Sequence, residues 1–231
     1  MCSAAARRER DAEVARKAIL DAAEEIFAEN GFDGARIDAI AAASGYNKSL
    51  IFHYFEDKLG LYAEVVRRVD NELNALQVRL LAPLLGDENI ATNARAFRAL
   101  LELIVTTIFD YLVEHPLFMR TILWEQAEGW QTYAKIMTRL NSDDTGPFDA
   151  LFQKARRAGL LRSDFVPLIQ LTMILQICLS YLTFIPLYQM VPMALHLKDD
   201  LSSAAALARA REYIVDFVVH GMMIDLPETN S

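Results

Sequence analysis

Between Arg36 and Lys58 the chain reads RIDAIAAASGYNKSLIFHYFEDK, and this stretch leaves few ways to fold. Ile37, Ile40 and Ala41 place an apolar stripe on a first short helix at i, i+3, i+4. Gly45 follows Ser44 where that helix must stop and the backbone must accept a positive φ. Asn47 is a good N-cap for a second helix, with Leu50, Ile51 and Tyr54 or Phe55 available to face inward. Two helices joined by a short turn containing glycine form a helix-turn-helix, whose second helix can enter a major groove.

The segment IAAASGYNKSLIFHYFEDK resembles the DNA-binding signature of the tetracycline-repressor (TetR) family, with Ile40, Ala41, Gly45, Lys48, Ile51, Tyr54, Phe55 and Lys58 in register. The run Asn30-Gly31-Phe32-Asp33-Gly34 is similar to the family's turn between its first two helices. The resemblance covers about the first quarter of the chain; the remainder matches only in length and helical character. It implies an all-α fold: a three-helix DNA-binding head over residues 1–58, then a helical effector-binding and dimerisation domain over 59–231. It also implies that Asn47, Lys48, Ser49 and Leu50 lie at or near base edges, with His53, Tyr54 and Lys58 near phosphates. Asn, Lys and Ser can donate or accept hydrogen bonds there, and Leu50 can meet a thymine methyl.

Three departures leave the operator unpredictable. Tyr46 and Leu50 replace the usual Val and Thr, and Phe52 replaces a Tyr whose hydroxyl could reach a phosphate. Ala35 stands where the family often has Thr, removing a helix cap and a phosphate hydrogen bond. Arg36 beside it is the candidate to restore that contact.

A net charge of −8 argues at first against nucleic acid. Affinity for DNA depends on where cations lie along the phosphates, however, so local distribution decides. Residues 1–20 hold Arg7, Arg8, Arg10, Arg16 and Lys17 against Glu9, Asp11 and Glu13, while Lys48 and Lys58 bracket the second short helix. The acidic excess elsewhere discourages indiscriminate binding. Cys2 and Cys178 have no clustered partners, so neither a disulfide nor a metal site is expected. No apolar segment follows the N-terminal arginines, which makes a reducing cytoplasm the expected compartment.

The rest of the chain reads as helices. Residues 11–30 carry one apolar face through Val14, Ala18, Ile19, Ala22, Ala23, Ile26 and Phe27, ended by Asn30-Gly31. Residues 57–85 repeat apolar positions from Leu59 to Leu80 at steps of three and four, predicting a long helix between the two domains. Further helices follow over 89–114, from Pro116, over 130–140, from Pro147 to Gly159, and over 204–224. Residues 165–195 lack Asp, Glu, Lys, Arg and His, a length that fits a membrane span. Gln170, Thr172, Gln176, Ser180, Gln189, Pro186 and Pro192 favour instead a helix buried within its domain and against another subunit. The resemblance implies that this helix and the last one pair with their twins in a homodimer, with no membrane involved.

The family also implies an effector pocket in the larger domain. Candidates are Phe118, Trp124, Trp130, Tyr133, Met137, Phe152, Met173, Gln176, Ile177 and Tyr181, which suit a small, mainly apolar effector. Ordinary core packing accounts for most such side chains without any ligand. Catalysis finds no support: His53, His115, His196 and His220 are isolated, and neither a nucleophile elbow nor a phosphate-cradling glycine loop is present. No catalytic or metal residues and no cofactor are expected. The expectation is a ligand-responsive repressor that binds a near-palindromic double-stranded operator as a homodimer. A helical carrier or adaptor without DNA binding, and a membrane-anchored sensor, are the rival classes.

Overall fold

The computed structural model describes residues 2–68, 71, 89–140, 146–162, 166–191 and 200–224. The elements are α1 (Cys2–Gly34), α2 (Ile37–Ser44), α3 (Lys48–Phe55), α4 (helical over 58–68), α5 (Ala94–Glu114), α6 (Pro116–Ala127), α7 (Gln131–Leu140), α8 (Gly146–Arg157), α9 (Pro167–Met190) and α10 (Ala204–Met222). Among the described residues the fold is all-α, with one isolated antiparallel bridge between Leu161 and Met223. The seam expected over 57–85 is followed to Arg68, and most of its continuation lies outside the described residues.

The chain packs as two compact units, one of residues 1–78 with 116–142 and the other of 79–115 with 143–231. This partition does not follow the expected functional boundary at 58/59. In the first unit Ile19, Ala23, Phe27, Ile40, Ile51, Phe55, Leu61, Tyr62, Val65 and Ile136 form one buried cluster. The helix after residue 58 is therefore part of the head's own core, because its inward positions meet α1. Phe27 meets the Tyr62 ring edge-on at 4.8 Å, and Phe32 lies 5.3 Å from it.

Helix α1 starts earlier than its apolar stripe, at Cys2. Residues 6–11 are exposed, and the first buried side chain among the described ones is Ala15. Near its end Gly31 takes φ 69 and kinks the helix. A Cβ at this position would also lie 3.0 Å from the Trp124 ring, so glycine is required both by conformation and by the close approach of α6. The Trp124 indole N–H donates to the Ala28 carbonyl at 3.2 Å, completing that contact.

In the second unit α5 is the central helix, contacted by α9 and α10. Phe97, Leu100, Leu101, Ile104, Val105, Phe109 and Leu112 are buried along it. Asn93 caps α5 by accepting from the Ala96 N–H at 3.0 Å, and Ser203 does the same for α10 through the Ala206 N–H at 3.3 Å. Arg211 on α10 donates to both carboxylate oxygens of Asp110 on α5 at 2.8 Å. Helix α9 buries Ile174, Cys178, Leu179 and Ile185 on one stripe. Its other faces expose Ile169, Met173, Phe184, Leu187 and Met190. Residues Ile169–Met190 are long and apolar enough to cross a bilayer by length and composition. Cys178 is a free thiol whose pKa burial pushes up to about 12, which makes it inert as a nucleophile near neutrality.

Candidate nucleic-acid interface

The helix-turn-helix is built by local chemistry. Gly45 takes φ 75, and its N–H closes α2 on the Ala41 carbonyl at 3.1 Å. Asn47, extended at φ −81 and ψ 158, accepts from the Leu50 N–H at 2.9 Å and so starts α3. Ile40, Ile51 and Phe55 are buried in the head. Tyr54 packs partly against the same cluster, with its ring 5.5 Å from His53.

What remains outside is one face of α3. Asn47, Lys48, Ser49, Phe52 and His53 are exposed, and Leu50 is half-buried. Asn47 therefore keeps an amide free to donate while its carbonyl oxygen caps the helix. Phe52 was not among the expected contacts, yet its ring is 43% exposed one helical turn beyond Lys48. The signal was its spacing of four from Lys48, masked by its apolar character. Arg36 is the N-cap residue of α2 with no side-chain capping bond, so the missing cap falls at 36 while Ala35 is buried. The Arg36 side chain is exposed beside the turn.

Lys58 behaves differently from the other expected contacts. Its ammonium donates to the Asp33 carbonyl at 3.2 Å and lies 4.7 Å from the centre of the Phe32 ring. Partial burial lowers its pKa, opposed by the nearby Asp33 and Glu128 carboxylates. In this geometry Lys58 ties α4 to the last turn of α1.

The junction from α3 to α4 is tightly specified. Glu56 takes φ 66 and ψ −63, and the Asp57 N–H turns back onto the Phe55 carbonyl at 2.7 Å, a γ-turn rare for a residue with a side chain. Asp57 caps α4 by accepting from the Gly60 N–H at 2.6 Å. A Cβ on Gly60 would overlap the Phe55 carbonyl oxygen. The angle between α3 and α4 thus depends on three consecutive local constraints.

Above this junction a buried carboxylate links α4 to α6 and α7. Glu125 is 3% exposed and accepts from the Tyr62 hydroxyl at 2.7 Å and from the Tyr133 N–H at 3.0 Å. Burial, followed by the Glu125 hydrogen bond and charge, raises the Tyr62 pKa. Sequence reading missed Glu125, since a lone acid on a helix of low amphipathicity reads as solvated.

The expected effector contacts are divided between the two units. Trp124 and Trp130 lie in the first unit, each 38% exposed, with half-buried Phe118 and Tyr133. The Met137 side chain lies outside the described ones. In the second unit Phe152 is fully buried, edge-on to Phe97 at 5.6 Å, and fills core. Met173 and Gln176 are exposed on α9. Ile177 and Tyr181 line an open groove of about 430 Å³ with Leu201, Ala206, Arg209 and Tyr213. Among the described residues, groups of three or more His, Cys, Asp or Glu able to hold a metal are absent.

A capped helix-turn-helix on a helical body defines a DNA-binding regulator of the helix-turn-helix class, and comparison with known proteins agrees. Residues 19–65 match the bacterial regulatory proteins of the tetR family, and residues 98–218 match the tetracyclin repressor-like C-terminal domain. The chain is 28% identical over 176 residues to the HTH-type transcriptional repressor NicS of Pseudomonas putida, covering 75% of this chain and 78% of NicS. It is 33% identical over 119 residues to the HTH-type transcriptional repressor SCO4008 of Streptomyces coelicolor, covering 52% of this chain and 53% of SCO4008. The fold superposes on the transcriptional regulator FadR of Bacillus subtilis, solved with stearoyl-CoA, at TM-score 0.57 and 18% identity, covering 89% of this chain and 98% of FadR. The chain belongs to the TetR family. It is a DNA-binding transcription regulator with a ligand-binding C-terminal domain, and not an enzyme.

Proposed function

We propose that the protein is a repressor that binds a near-palindromic operator as a homodimer and is released by a small, mainly apolar effector. The observation that carries this reading is the exposed face of α3, where Asn47, Lys48, Ser49, Phe52 and His53 stand free of the core that holds Ile51 and Phe55. Lys48 and Ser49 serve as base-edge or phosphate donors, and Phe52 offers an apolar surface to thymine methyl groups. Arg36 flanks them as a phosphate contact, and His53 and Tyr54 lie at the rim. Two relatives, NicS and SCO4008, carry the name transcriptional repressor, which supports the sign of regulation.

Dimerisation is supported by the apolar surface of α9 and α10. Tyr213 and Phe217 are 72% and 58% exposed, and Met190 is 80% exposed. Large apolar side chains exposed along both helices are what a protein partner would cover. A second copy pairing through α9 and α10 also accounts for α9 without a membrane, consistent with a cytoplasmic regulator. Two recognition helices then reach successive major grooves about 34 Å apart.

Release requires that effector binding favour a different position of α4. The Tyr62–Glu125 bond ties α4 to α6, so a displacement of α6 is carried to the junction below. Such coupling holds only if the effector binds the two arrangements unequally. The test is a gel shift with the promoter fragment of the neighbouring gene at low salt, together with Lys48→Ala. Wild type is expected to retard the fragment, and Lys48→Ala to weaken binding about tenfold with unchanged dimerisation and melting. No shift at low salt, or loss of fold along with binding in Lys48→Ala, overturns the reading.

A further inference from the structure

The turn between α2 and α3 is bridged by an ion pair whose role the fold does not explain. Lys48 Nζ lies 2.5 Å from Asp38 Oδ1, with the side chains 50% and 71% exposed. Lys48 is the first residue of α3, and Asp38 lies in the first turn of α2. Pairs this exposed contribute little to stability, so holding the helices together is not their main effect. Arg16, Lys17, Arg67 and Arg68 of the same unit pair instead with acids on α1 and α4, away from the recognition face.

Lys48 belongs to the surface that approaches DNA in the reading above, and this inference rests on that reading. A carboxylate held against its ammonium competes with phosphate for the same cation and itself repels phosphate. In a random duplex the base-edge acceptors are not arranged to meet Lys48, so phosphates are its main partners, whereas an operator sets a matching acceptor at the start of α3. We propose that Asp38 is a specificity-determining residue: it keeps Lys48 from non-specific phosphate contacts and releases it only where the operator supplies a better acceptor. Specificity arises from weakening the wrong complex as well as strengthening the right one.

The test uses the full chain and two duplexes of equal length and composition, one selected from a random pool by the wild-type protein and one scrambled. Binding is followed by fluorescence anisotropy across a salt series for wild type, Asp38→Asn, Asp38→Glu and each acid variant in a Lys48→Ala background. Asp38→Asn should tighten scrambled-duplex binding about two- to fivefold per subunit, the range an exposed pair can supply. It should steepen the salt slope on that duplex by about one per subunit, since one more cation meets a phosphate. The selected duplex should change less, Asp38→Glu should match wild type, and the effect should vanish without Lys48. Unchanged scrambled-duplex binding, an equal change on both duplexes, or an effect that persists without Lys48 overturns the assignment while leaving DNA binding intact. If wild type selects no duplex at all, the DNA-binding reading fails and takes this inference with it.

Discussion

Helices α3 and α9 are specified in opposite ways. Helix α3 spans eight residues and owes its limits to individual groups: the Asn47 cap, the left-handed Gly45 before it and the γ-turn at Glu56 after it. Helix α9 spans 24 residues, has no side-chain cap and carries Pro186 inside, and its extent matches a long run free of charged residues. The short helix hides Ile51 and Phe55 and shows mainly polar groups beside Phe52; the long one hides a single stripe and leaves several large apolar groups uncovered. Local chemistry thus fixes the limits of α3, while an uncharged, mostly apolar composition suffices to extend α9.

The sharpest way to break the first half of that contrast is Gly60→Ala. The new methyl would collide with backbone rather than with a movable side chain, so the loss should reach about 3 kcal/mol or more. Operator binding and the melting temperature of the first unit should both fall, measured by anisotropy and circular dichroism; an unchanged melting curve would show that the junction is not rigid. The second half is tested by Tyr213→Glu with Phe217→Glu. Charges on this exposed apolar face should weaken self-association at least about a hundredfold, as loss of interface anchors does, with helicity retained. Light scattering that still finds dimers would place the interface elsewhere.

Glu56→Gly should act in the opposite direction. Relief of the positive φ should outweigh the added chain entropy and stabilise the head by about 1 kcal/mol. Denaturant titration checks the sign, and a destabilised variant would mean the side chain makes a contact that matters more than the strain. The smallest effect concerns Glu128, whose pKa is raised by burial and then by Asp33 and Glu125, with Lys58 opposing. A carboxyl whose folded pKa is raised favours folding in its protonated form; that contribution is full below the unfolded pKa near 4.5 and is lost as pH rises through the folded value. Glu128→Gln should therefore raise the melting temperature modestly at pH 7 and leave it unchanged at pH 4.

Much of the head was legible in the sequence because its signals are local. Gly45, Asn47 and the spacing of Ile37, Ile40 and Ile51 define their helices without reference to distant residues. Pro116 opens α6 and Gly159 follows α8 as expected. Apolar periodicity places the start of α1 at residue 11, whereas helical backbone needs no buried face to extend back to Cys2. Periodicity shows which side of a helix is apolar, not which other helix covers it. Hence periodicity alone does not show that Trp124 docks on α1 or that Ile136 packs with the head's buried cluster. Lys58 could be read only as a cation at a helix start; that it reaches back to Asp33 depends on the kink at Gly31. Of the effector candidates, Ile177 and Tyr181 share a groove while Phe152 fills core, a division that aromatic and methionine content cannot show because it marks apolar volume without marking its shape.

The docking of Trp124 against Gly31 has a practical outcome. The chain has two tryptophans, and both sit in the first compact unit, while the second unit contains none. Intrinsic emission excited in the indole band is therefore an optical signal from the DNA-binding half alone. Paired with far-ultraviolet dichroism, which sums over every helix, it separates melting of that half from melting of its partner without any added label.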